Sequence, residues 1–194
     1  MKRFLCSLFV IALIPCSVLA KGKGLTAEQE RSLEIGGVRI GMTVEESIEA
    51  LMKKYNIPRE SIMPGGTLGP DEMTKKKEVY SLTLTFDGQK VEVLFSTDIS
   101  TTPYKRVAST VFYTMPYTPE NCKNLEDSIV KKYGEDNSSI TELGKSWNIT
   151  KGDIRNSTKL SMSPAGCDLK IQTYRYNNAI IEFKQKQENR RPNY

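Results

Sequence analysis

Ser128 and Lys131 are the pair in this chain whose types and spacing match a known nucleophilic device. An S-x-x-K run sets a hydroxyl beside an amine on one helical face, where the amine can take up the hydroxyl proton. The companion motifs of that chemistry, S-D-N and K-T-G, are missing, and the chain is too short for the fold that carries them. The sequence has no histidine, which removes Ser-His and Cys-His pairs, histidine-ligated metals and the commonest base near neutral pH. No Asp-x-Asp-x-Asp loop offers calcium ligands, so neither a metal nor a cofactor is expected. Glu45, Glu46 and Glu49 could form an acid/base set, but they fall in the opening of a helix, where carboxylates favour the positive end of the dipole.

Cysteine carries the other chemistry. Lys2 and Arg3 precede an apolar run from Phe4 to Ile14, Pro15 breaks it, and Val18-Leu19-Ala20 supplies the small and β-branched residues of a cleavage site. Residues 1–20 therefore read as a signal peptide, too short to serve as a membrane span. Pro15 before Cys16 stands where a lipidation site needs a small residue, so no stable membrane anchor is expected. After cleavage only Cys122 and Cys167 remain, and an oxidising compartment would join them. Their spacing closes a loop of about 45 residues, for which chain entropy gives roughly 4 kcal/mol of stabilisation. They lack the C-x-x-C spacing of a redox pair. The expected location is periplasmic or secreted.

Loss of Lys2 and Arg3 lowers the formal charge from +5 to about +3, too mild an excess to imply nucleic acid. Lys75-Lys76-Lys77 and Arg190-Arg191 read as solvated faces that could favour an acidic partner surface or anionic lipid headgroups. Three N-x-S/T triplets, at Asn137, Asn148 and Asn156, would accept glycans only in a eukaryotic secretory route.

The elements that would position these residues fall into two similar halves. Thr43 caps a helix with Glu46 completing a capping box, and Val44, Ile48, Leu51, Met52 and Tyr55 form its apolar stripe up to Pro58. Thr118 caps a second helix with Pro119 in its first position, and Cys122, Leu125, Ile129 and Tyr133 form the stripe before Gly134. A Pro- and Gly-rich loop over 58–70 leads to strands at 80–86 and 91–95, joined by Asp87-Gly88, and to a third at 106–114. Further strands are expected near 145–150, 158–163, 168–176 and 179–184, the last two joined by Asn177-Asn178. A short leading helix fits 26–29, and the tail from 186 to 194 is polar and reads as disordered.

A displacement of 78 residues superposes the two helices and the strands that follow. Leu51 meets Ile129, Leu82 meets Leu160, Leu84 meets Met162, Val91 meets Leu169 and Val93 meets Ile171. The expected fold is α+β, with tandem α-β-β-β units whose helices pack on one face of antiparallel sheet. The corresponding division is an N-terminal segment at 21–36, a first module at 37–116, a second, disulfide-bearing module at 117–185 and a tail at 186–194.

Gly37-Val38-Arg39-Ile40-Gly41-Met42-Thr43, followed by acidic residues and an apolar helix ending in Tyr55-Asn56-Ile57-Pro58, resembles the opening of bacterial envelope modules of the SmpA/BamE type. The tandem layout is similar to the β-lactamase inhibitor protein, which is built from two such units. The resemblance implies a module that binds other proteins, and it transfers no catalytic residue. Tyr113, Tyr117, Trp147, Tyr174 and Tyr176 are candidate interface anchors, since Tyr and Trp often carry binding energy. The resulting expectation is an exported, non-catalytic protein that binds another envelope or secreted protein as inhibitor, immunity-like factor or assembly accessory. Two alternatives are a small hydrolase using Ser128 and Lys131, and a protein that takes a lipid or small ligand on its sheet.

Overall fold

The structure, a computed structural model, describes residues 32–66, 69–133, 145–148, 158–163 and 167–190, with backbone alone at 145–148. The expected signal peptide at 1–20, the leading helix at 26–29, Gly134, and residues 149–150 and 191–194 lie outside the described residues, as do the glycan triplets apart from Asn148 and Thr158.

Among the described residues the order begins with a small hairpin, β1 (Glu34–Ile35) and β2 (Val38–Arg39), which drives Leu33, Ile35 and Val38 into the core. This hairpin was not expected. Helix α1 (Val44–Tyr55) follows, and Thr43 and Glu46 form the expected capping box: Glu46 N–H donates to Thr43 Oγ1 at 3.3 Å and Thr43 N–H to Glu46 Oε2 at 2.7 Å. The helix ends at Asn56 in the left-handed region, two residues ahead of Pro58.

A short 3-10 turn (Arg59–Ser61) leads into β3 (Ile62–Gly66), where the sequence suggested only loop. Pro64 is tolerated because β3 is the outermost strand, where one side of the backbone needs no ladder partner, and the irregular register at Gly65/Gly66 ends the pairing. Strands β4 (Val79–Phe86) and β5 (Gln89–Asp98) form the expected hairpin. Asp87 and Gly88 both take positive φ, 46° and 73°, as the two-residue turn requires. Strand β6 (Lys105–Thr114) pairs with β5 through a bulge beside Leu94.

The second half opens with helix α2 (Pro119–Tyr133), capped as expected by Thr118, whose Oγ1 accepts from Asn121 N–H at 3.0 Å. Strands β7 (Lys145–Asn148), β8 (Thr158–Ser163) and β9 (Asp168–Thr173) complete an antiparallel sheet of order β3-β4-β5-β6-β9-β8-β7. Strands β3 to β6 form a four-strand meander and β7 to β9 a three-strand one, and the two join where β6 pairs with β9. Leu82, Leu84, Val91 and Val93 in the first meander and Leu160, Met162, Leu169 and Ile171 in the second are all buried in one core beneath Ile48 and Leu51 of α1 and Ile129 and Tyr133 of α2. The fold is α+β, with helices packed on antiparallel sheet.

The expected last hairpin is replaced by helix α3 (Arg175–Glu188). Asn177 and Asn178 lie inside this helix, and it carries Lys186 to Glu188 of the expected polar tail. Strand β9 is already paired with β6 on one side and β8 on the other, so no edge is left for a following strand. Tyr176, Ile180 and Phe183 also recur at helical spacing, a pattern that the β-branched Ile180-Ile181 pair disguises.

Candidate functional site

Among the concave surfaces of the described residues, two set a helix against the sheet. The first lies between α1 and the outer strand β3. The chain turns back on itself at 56–61, so the first turn of α1 stands beside β3 and β4 without filling the space between them. The result is a groove of about 560 Å3 with an apolar floor of Val44, Ile48, Ile62, Pro64, Val79 and Leu82. Glu45, Arg59 and Glu60 form its rim, giving it one net negative charge. Arg59 grips both oxygens of Glu45, with Nη2 to Oε2 at 2.8 Å, and these bonds hold the Glu45 carboxyl below its ordinary range.

The second surface is polar. Asp71, at the start of the loop before β4, accepts from Met73 N–H at 2.8 Å and Thr74 N–H at 2.9 Å, and from the Tyr80 hydroxyl. Arg106 of β6 lies 3.5 Å from Asp71, donates to Thr97 Oγ1 and to the Phe95 carbonyl at 2.8 Å each, and stacks 3.8 Å above the Tyr80 ring. The side chains of Arg106 and Asp71 are only 6% and 9% exposed. Burial pushes the Asp71 carboxyl up, but Tyr80, the two amides and Arg106 outweigh it and leave the group below its ordinary range. Burial also raises Tyr80, helped by its bond to Asp71, and lowers Arg106.

This network borders a hollow of about 440 Å3, closed on its far side by α3. Leu94, Thr110 and Gln172 stand opposite one another in register, out of phase with buried Val93, Val111 and Ile171, so α3 covers the reverse of the core face. Lys184 of α3 reaches Glu72 at 2.6 Å and ties helix to loop.

The residues singled out in the sequence do not gather at either surface. Cys122 and Cys167 are bonded, with Cα atoms 4.8 Å apart, and they pin the first turn of α2 to the start of β9. Ser128 donates its hydroxyl proton to the Asn124 carbonyl at 2.7 Å, one turn back in its own helix. Glu46 serves the capping box, Glu45 the groove rim. Tyr113 is partly buried against the core and donates to Gln89 Oε1 at 2.6 Å. Tyr117 and Tyr174 are exposed, and Tyr176 is half-buried with its hydroxyl beside Gly41. Trp147 lies on β7 opposite Leu160 in register.

The Gly41-Met42-Thr43 run has a positional role. Gly41 N–H donates to the Ala108 carbonyl at 2.9 Å, Ala108 N–H donates to the Met42 carbonyl at 2.7 Å, and Thr43 bridges Val107. The start of α1 is thereby fastened to the stretch of β6 that β9 does not reach. Gly41 takes φ of 91°, which disfavours any side chain there.

Among the described residues no three His, Cys, Asp or Glu side chains converge as a metal site would require, and no helix is long and apolar enough to cross a membrane. The disulfide is compatible with an extracellular or periplasmic setting. Comparison with family models, curated proteins and solved structures returns no match.

Proposed function

We propose that this is an exported protein of the periplasm or extracellular space that acts without catalysis, by holding an extended apolar segment of another exported protein in the groove between α1 and β3. The observation that supports this reading is the groove: an apolar floor open to solvent at the border of the sheet, with an acidic rim suited to a segment flanked by basic residues. Binding rests on side chains entering the groove. Pro64 and the irregularity at Gly65/Gly66 blunt the backbone of β3, so simple addition of a strand at that edge is disfavoured. The disulfide fits such a role, since it holds the second half firm outside the cell. The SmpA/BamE-like opening fits as well: its Gly41-Met42-Thr43 run fixes the helix that forms one wall.

A photo-crosslinking residue at Glu60, introduced in the native host, should capture one defined exported protein. Val44→Glu should abolish that capture. Its added carboxylate enters the floor of the groove in the first turn of α1, where an acidic residue suits the helix dipole; because Val44 also packs against the core, circular dichroism and thermal unfolding of the variant check that the fold is kept. Capture that persists undiminished in Val44→Glu, or the absence of any defined adduct, rules out the groove as the binding site.

A further inference from the structure

Helix α3 is held in place by little. None of its residues is buried, and none belongs to the core beneath α1 and α2 or packs against it. Tyr174 gives no side-chain cap, the first turn has no acidic residue, and Arg175 sets a positive charge at the positive end of the dipole. Asn177, Asn178, Ile180 and Ile181 are weaker helix formers than Ala or Leu. Beneath the helix the hollow leaves Asn177, Ile180 and Lys184 facing space where close packing would otherwise be. The Lys184–Glu72 pair that ties the helix to the loop is exposed and correspondingly weak. An element with so little apolar burial opens at a lower free energy than the core does.

One contact of α3 reaches the support of the groove. Tyr176, in its first turn, sets its hydroxyl against Gly41, where a Cβ would lie 3.1 Å from the Tyr176 oxygen. Gly41 and Met42 are the residues that exchange hydrogen bonds with Ala108, and Thr43 next to them caps α1. Val44 and Glu45, which follow, belong to the groove. Helices α1 and α3 lie on opposite faces of the sheet, yet they meet at this junction. The geometry points to α3 as a detachable strap: seated, it braces Gly41 through Tyr176 and steadies the first turn of α1; released, it loosens that wall of the groove. The brace stands on the fold alone. Its consequence rests on the groove reading: with only the strapped population competent to bind, release of α3 lowers the affinity for the groove's occupant.

Hydrogen exchange of the folded protein tests the strap without any partner. The amides of α3 should exchange as one set, at least about ten-fold faster than those of β5. Lys184→Glu places a carboxylate against Glu72 toward the other end of α3, and it should speed that set by about two- to five-fold, the range of an exposed ion pair. It should also speed Gly41, Ala108, Glu46 and Ser47, whose amide bonds the junction holds, and Tyr176→Ala should speed these further. Helix α2 should keep the parent rate in both variants. Capture by the photo-crosslinking residue at Glu60 should fall in both. The strap is overturned if α3 exchanges no faster than β5, if the junction amides ignore both variants, if α2 speeds by the same factor as the junction, or if capture is undiminished in both. Exchange as expected with no adduct in the parent removes the groove reading and supports the strap.

Discussion

The two halves of the sheet are held by different means although their buried positions correspond. In the first half, α1 carries a full capping box and sinks Leu51 to complete burial, and the β1–β2 hairpin adds Leu33, Ile35 and Val38 to the same core. In the second half, α2 has the simpler Thr118 cap, its most buried aliphatic residue, Ile129, retains 8% exposure, and a disulfide ties the helix to β9. The loop before β4 has an anchor too, but a non-covalent one: Asp71, Tyr80 and Arg106 bind it to β6. Where apolar burial is generous the fold needs no covalent tie; where it is thinner, a cross-link supplies the difference.

The sharpest way to break this contrast is to remove the disulfide. Cys122→Ser with Cys167→Ser should destabilise the protein by roughly 4 kcal/mol, the chain-entropy value for a 45-residue loop. Hydrogen exchange should locate the loss first in α2, β8 and β9. A melting temperature unchanged by the double substitution would contradict the assigned role. Next comes core truncation: Leu51→Ala should cost about 3–4 kcal/mol and Ile129→Ala about 2–3, measured by urea unfolding, because a completely enclosed cavity relaxes less. Equal costs would mean that the two helices are equally well seated. The smallest effect concerns the polar anchor. Asp71→Asn should cost about 2 kcal/mol at pH 7, since charge-assisted bonds are weakened but not removed. The sign with pH follows from the depressed folded value. Asp71 contributes fully above its unfolded pKa, near 3.9, and that contribution is lost as pH falls through the lower folded one. Stability measured from pH 6 to pH 2 should therefore fall less steeply below about pH 4 in Asp71→Asn than in the parent. Parallel curves would remove Asp71 from the account.

What could be read from the sequence was local or covalent. The capping box at Thr43, the Asp87-Gly88 turn and the apolar stripes of both helices involve residues within a few positions of each other, and all appear as expected. The Cys122–Cys167 bond was legible because two thiols left few choices. Strand β3 and helix α3 were not, since each depends on tertiary context: β3 tolerates Pro64 by lying outermost, and α3 forms where β9 has no open side. The two concave surfaces were missed for the same reason. Asp71 and Arg106 lie far apart in sequence and belong to no motif. The available signal was the charge of Arg106 itself, at the head of a strand whose next six residues carry none.

Strand β6 closes the first meander and is the strand on which the second docks, which bears on how the chain can be made. Synthesis delivers β6 together with the first half, while the Thr110–Thr114 stretch waits for Asp168–Thr173 to be added much later. During that interval an unpaired strand border is exposed, the kind of surface on which nascent chains stick to one another. The Gly41-Met42-Thr43 run covers Val107 and Ala108 from within the first half, so only the distal part of the border stays open. A truncated product ending near Tyr117 would keep that opening permanently, and it should be found in aggregates rather than as a free module.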